Sequence, residues 1–397
     1  MKVLQINNNH RIIGGSDTVY FNTGTLLSKR GHEVSYFAGK GAGDLICEDA
    51  AYFPKALTTS ASRITDLPRY FHNRAARSAI RALIDAKGPF DIAHLHIYYG
   101  RLTASILKPL KERGIPIVQS LHEYKLACPV YTLERGGAIC EDCVQGSTLN
   151  CLRQRCKDGS LIKSAVVLAE YHTSRLQGDV QLIDRFICVS DFQRQILERA
   201  GIPKEKMTTL HNFVDPALLT PNYPTQQKDY MLYFGRIEKL KGILTLVKAA
   251  IKSGTHLLIA GTGSWSGALE ALITNTPYVE YLGFVSGAPL RKLVSEARAV
   301  VVPSEWYENC PMTVIEAKAV GTPVIGARIG GIPELIRDGI DGYLFESGDT
   351  SALAEIFETL KTADLAGFRA AALADVMARF SPEAHYTALL QIYNDIR

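Results

Sequence analysis

The stretch PSEWYENCPMTVIEAKAVGTPVI, residues 303–325, places two carboxylates eight positions apart, Glu308 and Glu316. The run AVVVPS, residues 299–304, is apolar and β-branched, which predicts a buried parallel strand. The proline at position 311 suits the first turn of a helix, and a glycine ten residues later suits its end. The stretch therefore predicts a strand, a loop, a helix and a second strand. Because a helix N-terminus leaves backbone N–H groups unpaired, this loop is suited to hold a phosphate.

Outward from this stretch, apolar strand segments alternate with helical ones in both halves of the chain. The segments include KVLQIN, EVSYFA, DIAHLH and RFICVS in the first half, and YMLYFGR, HLLIAGTG, VEYLGF and PVIGA in the second. This βα repetition predicts parallel sheets covered on both faces. With 397 residues, 47% of them apolar, the chain is expected to form two domains. The predicted fold is α/β with two doubly wound, Rossmann-like domains, whose active site is expected in the cleft between them.

Domain boundaries follow from composition. Residues 214–229 are rich in Pro, Asn and Gln and lack periodicity, so they are predicted to be an interdomain linker. The linker separates an N-terminal domain, residues 1–213, from a C-terminal domain, residues 230–380. A final helical segment, residues 381–397, follows the second sheet and is expected to pack back across the first domain. Residues 128–156 form a cysteine-rich insertion in the first domain.

Charge and hydropathy narrow the function classes. The net charge of +4 is modest and spread along the chain, which argues against a dedicated nucleic-acid binder. The N-terminal MKVLQINNNH predicts a strand rather than a leader, and no apolar run approaches the roughly 20 residues of a membrane span. The protein is therefore expected to be cytoplasmic. Because thiols stay mostly reduced there, the eight cysteines are expected to be core residues or metal ligands rather than disulfides.

Two motifs in the second half suggest phosphate recognition. FGRIEKLKGI places Arg236 and Lys241 between a strand and a helix, where a planar fork and a point charge would neutralise a diphosphate without a metal ion. The alternative is that both are solvated cations at a helix entry. IAGTG places Gly261 and Gly263 after a strand, which permits close approach of a ligand but is also common for packing reasons.

The first half carries a glycine pair in RIIGGSDTVYFN. Gly14 and Gly15 lie between the first strand and the first helix, with Ser16 or Asp17 as the expected helix cap. The pair would let the chain contact a phosphate or a sugar. The full G-x-G-x-x-G spacing is absent, which disfavours a dinucleotide site.

Several ordered motifs resemble one family. FGRIEKLKG, LIAGTG, LGFVSGAPL, the stretch 301–325 and GGIPELIRDGIDGYLF are similar in order and spacing to the retaining GT-B glycosyltransferases of family 4, and the resemblance spans nearly the whole chain. It implies an enzyme that moves a hexose-type sugar from a nucleotide-diphosphate donor to an acceptor hydroxyl, with retention and without a catalytic metal. The acceptor would be lipid-linked or a growing polysaccharide of the cell surface, reached at the inner face of the membrane.

The resemblance also implies roles for individual residues. Glu308 would hold hydroxyls of the donor sugar, and Glu316 the ribose of the nucleotide. Phe284 and Val285 would line the base pocket. The diphosphate would face the start of the helix and its backbone N–H groups, with Arg236 and Lys241 balancing its charge; the residues of this helix end are Pro311, Met312, Thr313 and Val314.

A histidine of the first half completes the implied site. His122 in QSLHEYKLACP would lie near the reacting sugar or the acceptor, and the near-neutral pKa of histidine suits a donor or an acceptor of hydrogen bonds. The alternative is a structural histidine that bonds a backbone carbonyl. For His94 and His96 the structural interpretation is preferred.

The insertion groups cysteines in a pattern that is typical of metal sites. They have the spacing C-x11-C-x2-C-x7-C-x4-C, and the C-x2-C pair resembles a knuckle of a structural zinc site with four thiolate ligands. The candidates are Cys128, Cys140, Cys143, Cys151 and Cys156, one more than such a site needs. Reduced cysteines in a packed subdomain and redox pairing are the alternatives. The insertion also resembles those of a subset of family-4 enzymes that build bacterial surface polysaccharides.

A basic segment is the remaining feature. It contains Arg63, Arg69, Arg74, Arg77, Arg81 and Lys87, interleaved with Tyr70 and Phe71. Arg74, Arg77 and Arg81 have helical spacing and share one face, which would suit anionic headgroups or a lipid diphosphate, although a solvated helix surface is the simpler interpretation. Two other functions fit the same architecture: a sugar-nucleotide-binding regulator without transfer activity, and a nucleotide-sugar epimerase.

Overall fold

The computed structural model describes residues 1–55, 67–215, 218–219 and 228–397. These residues form two compact units. The first contains residues 1–133, 140–210 and 386–397; the second contains residues 134–139 and 211–385. Most of the predicted linker, and Arg63 of the basic segment, lie outside the described residues.

The first unit is built on a six-stranded parallel sheet. Its strands are β1 (Lys2–Asn9), β2 (Glu33–Gly39), β3 (Ile92–Leu95), β4 (Ile117–Leu121), β7 (Arg185–Cys188) and β8 (Met207–Thr209), in the order β2-β1-β3-β4-β7-β8. Its helices are α1 (Gly15–Lys29), α2 (Leu67–Phe71), α3 (Arg74–Lys87), α4 (Leu107–Glu112), α5 (Asn150–Arg153), α6 (Leu161–Leu176) and α7 (Asp191–Arg199). Every residue of β3 and β4 is buried, as expected for inner strands covered by helices on both faces.

The end of the chain completes the core of the first unit. The last helix, α14 (Pro382–Asn394), contributes Leu389 and Tyr393 to an apolar cluster with residues of β1, β3, β4 and β7. The buried hydroxyl of Tyr393 lies 2.7 Å from Nδ1 of His94 on β3. Residues 386–397 belong to the first unit even though the whole second sheet precedes them in sequence.

The second unit contains another parallel six-stranded sheet and a short antiparallel hairpin, β5 (Glu134–Arg135) and β6 (Ala138–Ile139). The sheet strands are β9 (Met231–Phe234), β10 (Leu257–Ala260), β11 (Val279–Gly283), β12 (Ala299–Val302), β13 (Val324–Ala327) and β14 (Gly342–Phe345). The helices are α8 (Ile243–Ser253), α9 (Ser266–Ile273), α10 (Gly287–Glu296), α11 (Met312–Ala319), α12 (Thr350–Thr362) and α13 (Ala366–Asp375), followed by a π-helical segment, Val376–Phe380.

The strand order of the second sheet is β11-β10-β9-β12-β13-β14. Numbered along the chain from β9, this is the doubly wound order 3-2-1-4-5-6, in which the direction of winding reverses between β9 and β12. In sheets of this kind ligands bind beyond the carboxyl ends of the strands at the point of reversal. A ligand of the second unit is therefore expected at the loops that follow β9 and β12.

Residues 299–325 fold as the sequence predicts. β12 is fully buried between β9 and β13, and α11 and β13 follow it. Pro311 is the N-cap residue of α11, one position before the helix. At the other end, Gly321 has φ +75°, a left-handed conformation that terminates helices and that glycine adopts without steric cost.

A buried ionic cluster anchors α11. The Lys318 ammonium is inaccessible to solvent and lies 2.5 Å from Oδ2 of Asp375 and 3.1 Å from Oδ2 of Asp341. It also donates to the carbonyl oxygen of Leu335 at 2.8 Å. Since a buried charge is tolerated only when it is paired, this cluster ties the middle of the unit to its C-terminal helices.

The basic segment is partly neutralised within the first unit. Arg81 pairs with Glu112 of α4 at 2.7 Å, and Lys87 pairs with Asp49 at 2.5 Å. Among the residues that the structure describes, no helix has both the length and the apolar composition to cross a bilayer.

Candidate active site

The loops after β9 and β12 bring the predicted donor residues together around Glu308. Three donors converge on its Oε1 atom: Nζ of Lys241 at 2.5 Å, Oγ of Ser304 at 2.7 Å and Nε1 of Trp306 at 2.9 Å. The Lys241 ammonium also lies 5.0 Å from the centroid of the Trp306 ring, and the Arg236 guanidinium lies 5.8 Å from it. Lys241 and Glu308 are 67 residues apart in sequence and meet because β9 and β12 are neighbours in the sheet.

The electrostatics of this group favour an ionised glutamate. Burial alone would raise the pKa of Glu308, but the Lys241 ammonium and the three hydrogen bonds outweigh burial, and the pKa is lowered. Glu308 is therefore a carboxylate at neutral pH. It is suited to orient hydroxyl groups and unsuited to act as a general acid.

Glycines hold the loops of this site in place. A Cβ atom on Gly330, which has φ +59°, would lie 2.4 Å from the carbonyl oxygen of Glu308, and Gly331 N–H donates to that oxygen at 2.7 Å. A Cβ atom on Gly242, φ +73°, would lie 1.8 Å from the carbonyl oxygen of Pro303. Both contacts require glycine. Sequence reasoning missed these roles, as well as those of Ser304 and Trp306, although all of these residues lie inside the motifs quoted above.

The start of α11 carries fewer available N–H groups than predicted. Val314 N–H already donates to the carbonyl oxygen of Pro311 at 3.1 Å, so the expectation that it faces a ligand is wrong for this structure. Met312 and Thr313 are the first two helical residues, whose N–H groups a helix does not pair internally. In the middle of α11, burial and the nearby Asp215 carboxylate raise the pKa of Glu316.

The glycines after β10 have a packing role. A Cβ atom on Gly261 would lie 1.8 Å from the carbonyl oxygen of Gly235, and one on Gly263 would lie 2.2 Å from that of Ile237. The loops after β9 and β10 therefore pack backbone to backbone, which is the alternative that the sequence left open. By contrast, the Phe284 ring directly after β11 is 75% exposed, and Val285 beside it is half-buried.

In the first unit, His122 follows the last residue of β4 and belongs to a group of stacked histidines. Its Nε2 atom lies 2.9 Å from Nδ1 of His96, whose Nε2 lies 3.1 Å from Oε1 of Gln5. The rings of His96 and His122 are nearly parallel with centroids 5.2 Å apart, and the rings of His94 and His96 also stack, at 4.7 Å. His94 and His96 are buried and hydrogen-bonded, as their structural interpretation predicts.

Burial changes the expected chemistry of His122. It lowers the pKa of His122 to about 4, so the near-neutral value that the sequence suggested is wrong for the folded chain. At physiological pH the imidazole is neutral. It can donate or accept a hydrogen bond but brings no positive charge.

This shift leads to a prediction about stability. Between pH 6.5, where an unfolded histidine titrates, and about pH 4, the unfolded chain takes up a proton that folded His122 does not, so stability falls as the pH falls through this window. His122→Gln does not lose stability in this way, so near pH 4.5 its free energy of unfolding should be on the order of 1–3 kcal/mol higher than that of wild type. Urea unfolding, followed by circular dichroism at several pH values, measures this pH dependence for both proteins. His172→Gln, which changes an exposed histidine of the same unit, should keep the wild-type dependence.

The glycine pair of the first unit is open to solvent. Gly14 and Gly15 are exposed, and a Cβ atom on either would meet no atom within 4 Å. Gly14 is the N-cap of α1, so the expected cap at Ser16 or Asp17 is wrong. Asp17 instead reaches back from the first turn and accepts the N–H groups of Ile13 at 3.0 Å and Gly14 at 3.2 Å. The loop is thus shaped by Asp17 and leaves the glycine backbone accessible.

A cavity of about 410 Å³ lies beside the edge strand β2 of the first unit. It is lined by residues of β2 and of the loop around Cys47, together with Lys87. None of the predicted site residues contributes to its wall. One wall residue, His10, directly follows β1, so the cavity adjoins the carboxyl end of that strand.

The two doubly wound parallel units, with their polar groups at the ends of the inner strands, have the GT-B architecture of glycosyltransferases. The fold is shared with Anabaena Alr3699/HepE, whose crystal structure in complex with UDP superposes over 100% of both chains with a TM-score of 0.66 at 16% identity. Residues 13–218 match the model of Glycosyltransferase Family 4, and residues 228–362 match that of Glycosyl transferases group 1. The chain belongs to glycosyltransferase family 4 and is a transferase enzyme.

The named relatives carry different enzyme names. The chain is 27% identical over 321 residues to D-inositol 3-phosphate glycosyltransferase 1 of Catenulispora acidiphila, a match that covers 73% of this chain and 69% of the relative. It is 23% identical over 358 residues to N-acetyl-alpha-D-glucosaminyl L-malate synthase of Bacillus anthracis, covering 86% and 83%. Matches to three further glycosyltransferases span 61%, 55% and 62% of their lengths.

Proposed function

We propose that this chain is a retaining glycosyltransferase that takes a hexose-type sugar from a nucleotide-diphosphate donor and transfers it to a hydroxyl of a lipid-linked or polysaccharide acceptor. The observation that carries the proposal is the Lys241–Glu308 pair, flanked by Arg236 and Trp306 at the point of reversal of the second sheet. The crystal structure of Anabaena Alr3699/HepE with UDP supports a nucleotide donor.

The arrangement around Glu308 suits a donor sugar. The three protein donors share Oε1, so none of these bonds occupies Oε2. A carboxylate oxygen beside an ion pair is a strong acceptor, and a sugar hydroxyl is the group that it would orient. We therefore assign Oε2 of Glu308 to the hydroxyls of the donor sugar, and the half-buried Glu316 of α11 to the ribose.

The diphosphate would be neutralised by groups that the second unit holds in place. Arg236 is exposed after β9, Lys241 follows it, and the first N–H groups of α11 lie beyond β12. Fixed cations and amide donors that face the charge of a leaving group lower the transition-state energy without reorganisation. The departing phosphate can then accept the proton of the attacking hydroxyl on the same face of the sugar. In this mechanism Glu308 and Lys241 position groups rather than exchange protons, and no divalent metal is required.

The first unit would serve the acceptor and the reacting sugar. His122 is neutral and partly accessible at the end of β4, and the Gly14–Gly15 backbone is open at the end of β1. Four apolar side chains in the loops after β1 and β2 are exposed: Ile12, Ile13, Leu45 and Ile46. Exposed apolar groups beside a polar site fit an acceptor with a lipid portion, handled by a cytoplasmic enzyme at the membrane surface.

The relatives favour a second acceptor class. Their printed names refer to inositol phosphate and malate, which are small and polar. An enzyme of that kind would glycosylate a soluble acceptor in the absence of any lipid.

A donor and acceptor panel tests the proposal. Purified protein is incubated with UDP-, GDP- and ADP-hexoses, each with a lipid-linked diphosphate sugar, inositol phosphate, malate or no acceptor. We expect nucleotide diphosphate release only with the lipid-linked acceptor, and a product with the donor's anomeric configuration. Transfer to inositol phosphate or malate would favour the second acceptor class. Conversion of the donor without any acceptor would indicate an epimerase. Donor binding without turnover would indicate a regulator.

Donor binding gives a further prediction. Both tryptophans of the chain, Trp265 and Trp306, lie in the second unit, so UDP binding should change the intrinsic fluorescence. Arg236→Gln should weaken UDP binding by about 10-fold, since a hydrogen bond to a charged group contributes roughly 1.5 kcal/mol or more. Arg236 is substituted rather than Lys241, because the loss of Arg236 leaves the Lys241–Glu308 pair intact.

The control for this titration is Lys252→Gln, which removes an exposed cation at the far end of α8. It should leave the UDP dissociation constant unchanged. If wild type and Arg236→Gln bound UDP with equal affinity, Arg236 would not be part of the diphosphate site.

A further inference from the structure

We infer that Arg11 and Arg101 form an anion site at the carboxyl end of β1, and that this site binds a phosphate group of the acceptor. The inference rests on the proposed function, because it names the chemistry of the acceptor that the first unit would serve. The donor diphosphate remains assigned to Arg236 and Lys241 of the second unit. A lipid-linked diphosphate and a soluble phosphate ester would both present the required group.

Three consecutive asparagines at the end of β1 hold the loop that follows β3. Asn7 and Asn8 make hydrogen bonds to backbone groups of this loop at 2.8 to 3.3 Å. Asn9 accepts a hydrogen bond from Nη1 of Arg101, which lies in the same loop. Because Asn9 is only two positions before Arg11, this bond places the Arg101 guanidinium beside the loop that carries Arg11.

The loop that follows β2 joins this group. The N–H of Leu45 donates to the carbonyl oxygen of His10 at 2.8 Å, and Nη1 of Arg11 donates to the carbonyl oxygen of Ala42. Three loops therefore meet at the carboxyl end of β1, and two of them contribute a guanidinium group. His122 follows β4 at the same end of the sheet, which is where parallel α/β sheets bind their ligands.

The two cations have no anionic partner. Among the described residues, neither guanidinium lies within 4.0 Å of a carboxylate oxygen. The carboxylates of these loops are bound to other groups: Asp17 accepts from an asparagine and from two backbone N–H groups, and Asp44 accepts from a backbone N–H. Burial and the nearby Arg11 charge lower the pKa of Arg101, which is still a cation at neutral pH. Two like charges held together are a net cost to the unit, and a bound anion would remove this cost.

Most donors of both side chains are still available. A guanidinium has several N–H donors in a planar fork, and each of the bonds described uses only Nη1. Neither side chain has a nitrogen that is both buried and unpaired, so the remaining donors of these half-buried side chains are open to solvent. If the two residues only anchored loops, one N–H each would be sufficient. The planar fork of arginine matches paired phosphate oxygens, so the pair is suited to a phosphate dianion.

Calorimetric titration of the full-length protein with inorganic diphosphate tests the site. UDP is present at a saturating concentration, so that the donor groups of the second unit are occupied, and the ionic strength is low because salt screens exposed charges. Wild type should bind inorganic diphosphate. Arg11→Gln and Arg101→Gln should each weaken this binding by about 10-fold, since each removes hydrogen bonds between charged groups.

Arg113→Gln is the matched control. Arg113 is an exposed arginine of the first unit that pairs with Asp85, and it lies between α4 and β4, at the amino ends of the strands. Its loss should leave the affinity for inorganic diphosphate unchanged. The two test variants lie in different loops, so a local disturbance of one loop, detected by circular dichroism, does not affect the test of the other.

The transfer reaction identifies the acceptor. With a lipid-linked diphosphate sugar or with inositol phosphate, Arg101→Gln should raise the KM for the acceptor by about 10-fold and leave the UDP dissociation constant unchanged. The acceptor that shows this rise is the source of the phosphate.

No binding of inorganic diphosphate to wild type, or equal affinity of wild type and both variants, would overturn the site. A weaker affinity for UDP with an unchanged KM for the acceptor would assign the two arginines to the donor and overturn the inference about the acceptor. A failure of the proposed function is recognised separately, because it would abolish transfer with every acceptor while the titration with inorganic diphosphate could still be read.

Discussion

Glu308→Gln should lower the rate of sugar transfer by about 100-fold or more while leaving the fold intact. Glutamine keeps the shape of the side chain and an oxygen that can accept from Lys241, Ser304 and Trp306. It removes the negative charge that pairs with Lys241 and that would orient the donor sugar. Loss of one preorganised polar contact in an active site costs about 10²–10³ in kcat. Initial rates of nucleotide release with acceptor present measure the effect.

Glu305→Gln is the matched control. Glu305 lies three residues before Glu308 in the same loop and accepts a hydrogen bond from Oγ1 of Thr245 at 2.6 Å. Because it is not part of the Lys241 cluster, its conversion to glutamine should change the rate by less than about threefold. If Glu308→Gln kept more than a third of the wild-type rate with an unchanged melting temperature, Glu308 would have no role in positioning the donor sugar.

The second large effect is on stability. Lys318→Met should destabilise the second unit by about 3–5 kcal/mol, because it leaves the carboxylates of Asp341 and Asp375 buried without their shared cation. Arg337 and Arg379 also pair with these carboxylates but are themselves partly exposed, so they compensate incompletely. For a unit of this size the midpoint of thermal unfolding should fall by roughly 6–20 °C.

Tryptophan fluorescence measures this loss selectively, since Trp265 and Trp306 are both in the second unit. Lys292→Met is the control: the Lys292 side chain is 67% exposed, and its ammonium lies 3.9 Å from Glu296 on the same helix. Such surface pairs contribute less than about 1 kcal/mol. A fluorescence midpoint for Lys318→Met within 2 °C of wild type would mean that the buried cluster adds no net stability.

Much of the fold follows from local sequence. The β-branched run at 299–302 forms a buried strand because its side chains favour an extended backbone and have no polar groups to satisfy. Pro311 and Gly321 delimit α11 through backbone geometry that involves only their neighbours. The alternation of such segments is sufficient to predict parallel sheets, and the ordered motifs are sufficient to predict the family.

The local signals also misled in identifiable ways. Ser16 and Asp17 are good caps, but Asp17 reaches back from the first turn and Gly14 becomes the N-cap. The glycines of IAGTG permitted either a ligand loop or close packing, and the structure shows that Gly261 and Gly263 lie where two backbone segments touch. For Asp17 the partners lie three and four residues away in the same motif, whereas the glycines after β10 meet backbone that follows β9.

Tertiary structure alone decided which distant groups meet. Lys241 finds Glu308 because β9 and β12 are neighbours, an outcome of strand order rather than of either motif. His96 and His122 likewise meet because β3 and β4 are neighbours in the first sheet. The composition of α11 gives no sign that Lys318 is buried, yet its side chain is a fully buried cation. Propensity and periodicity act over a few residues, whereas pairing, burial and the resulting pKa shifts depend on chain segments that only the folded sheet brings together.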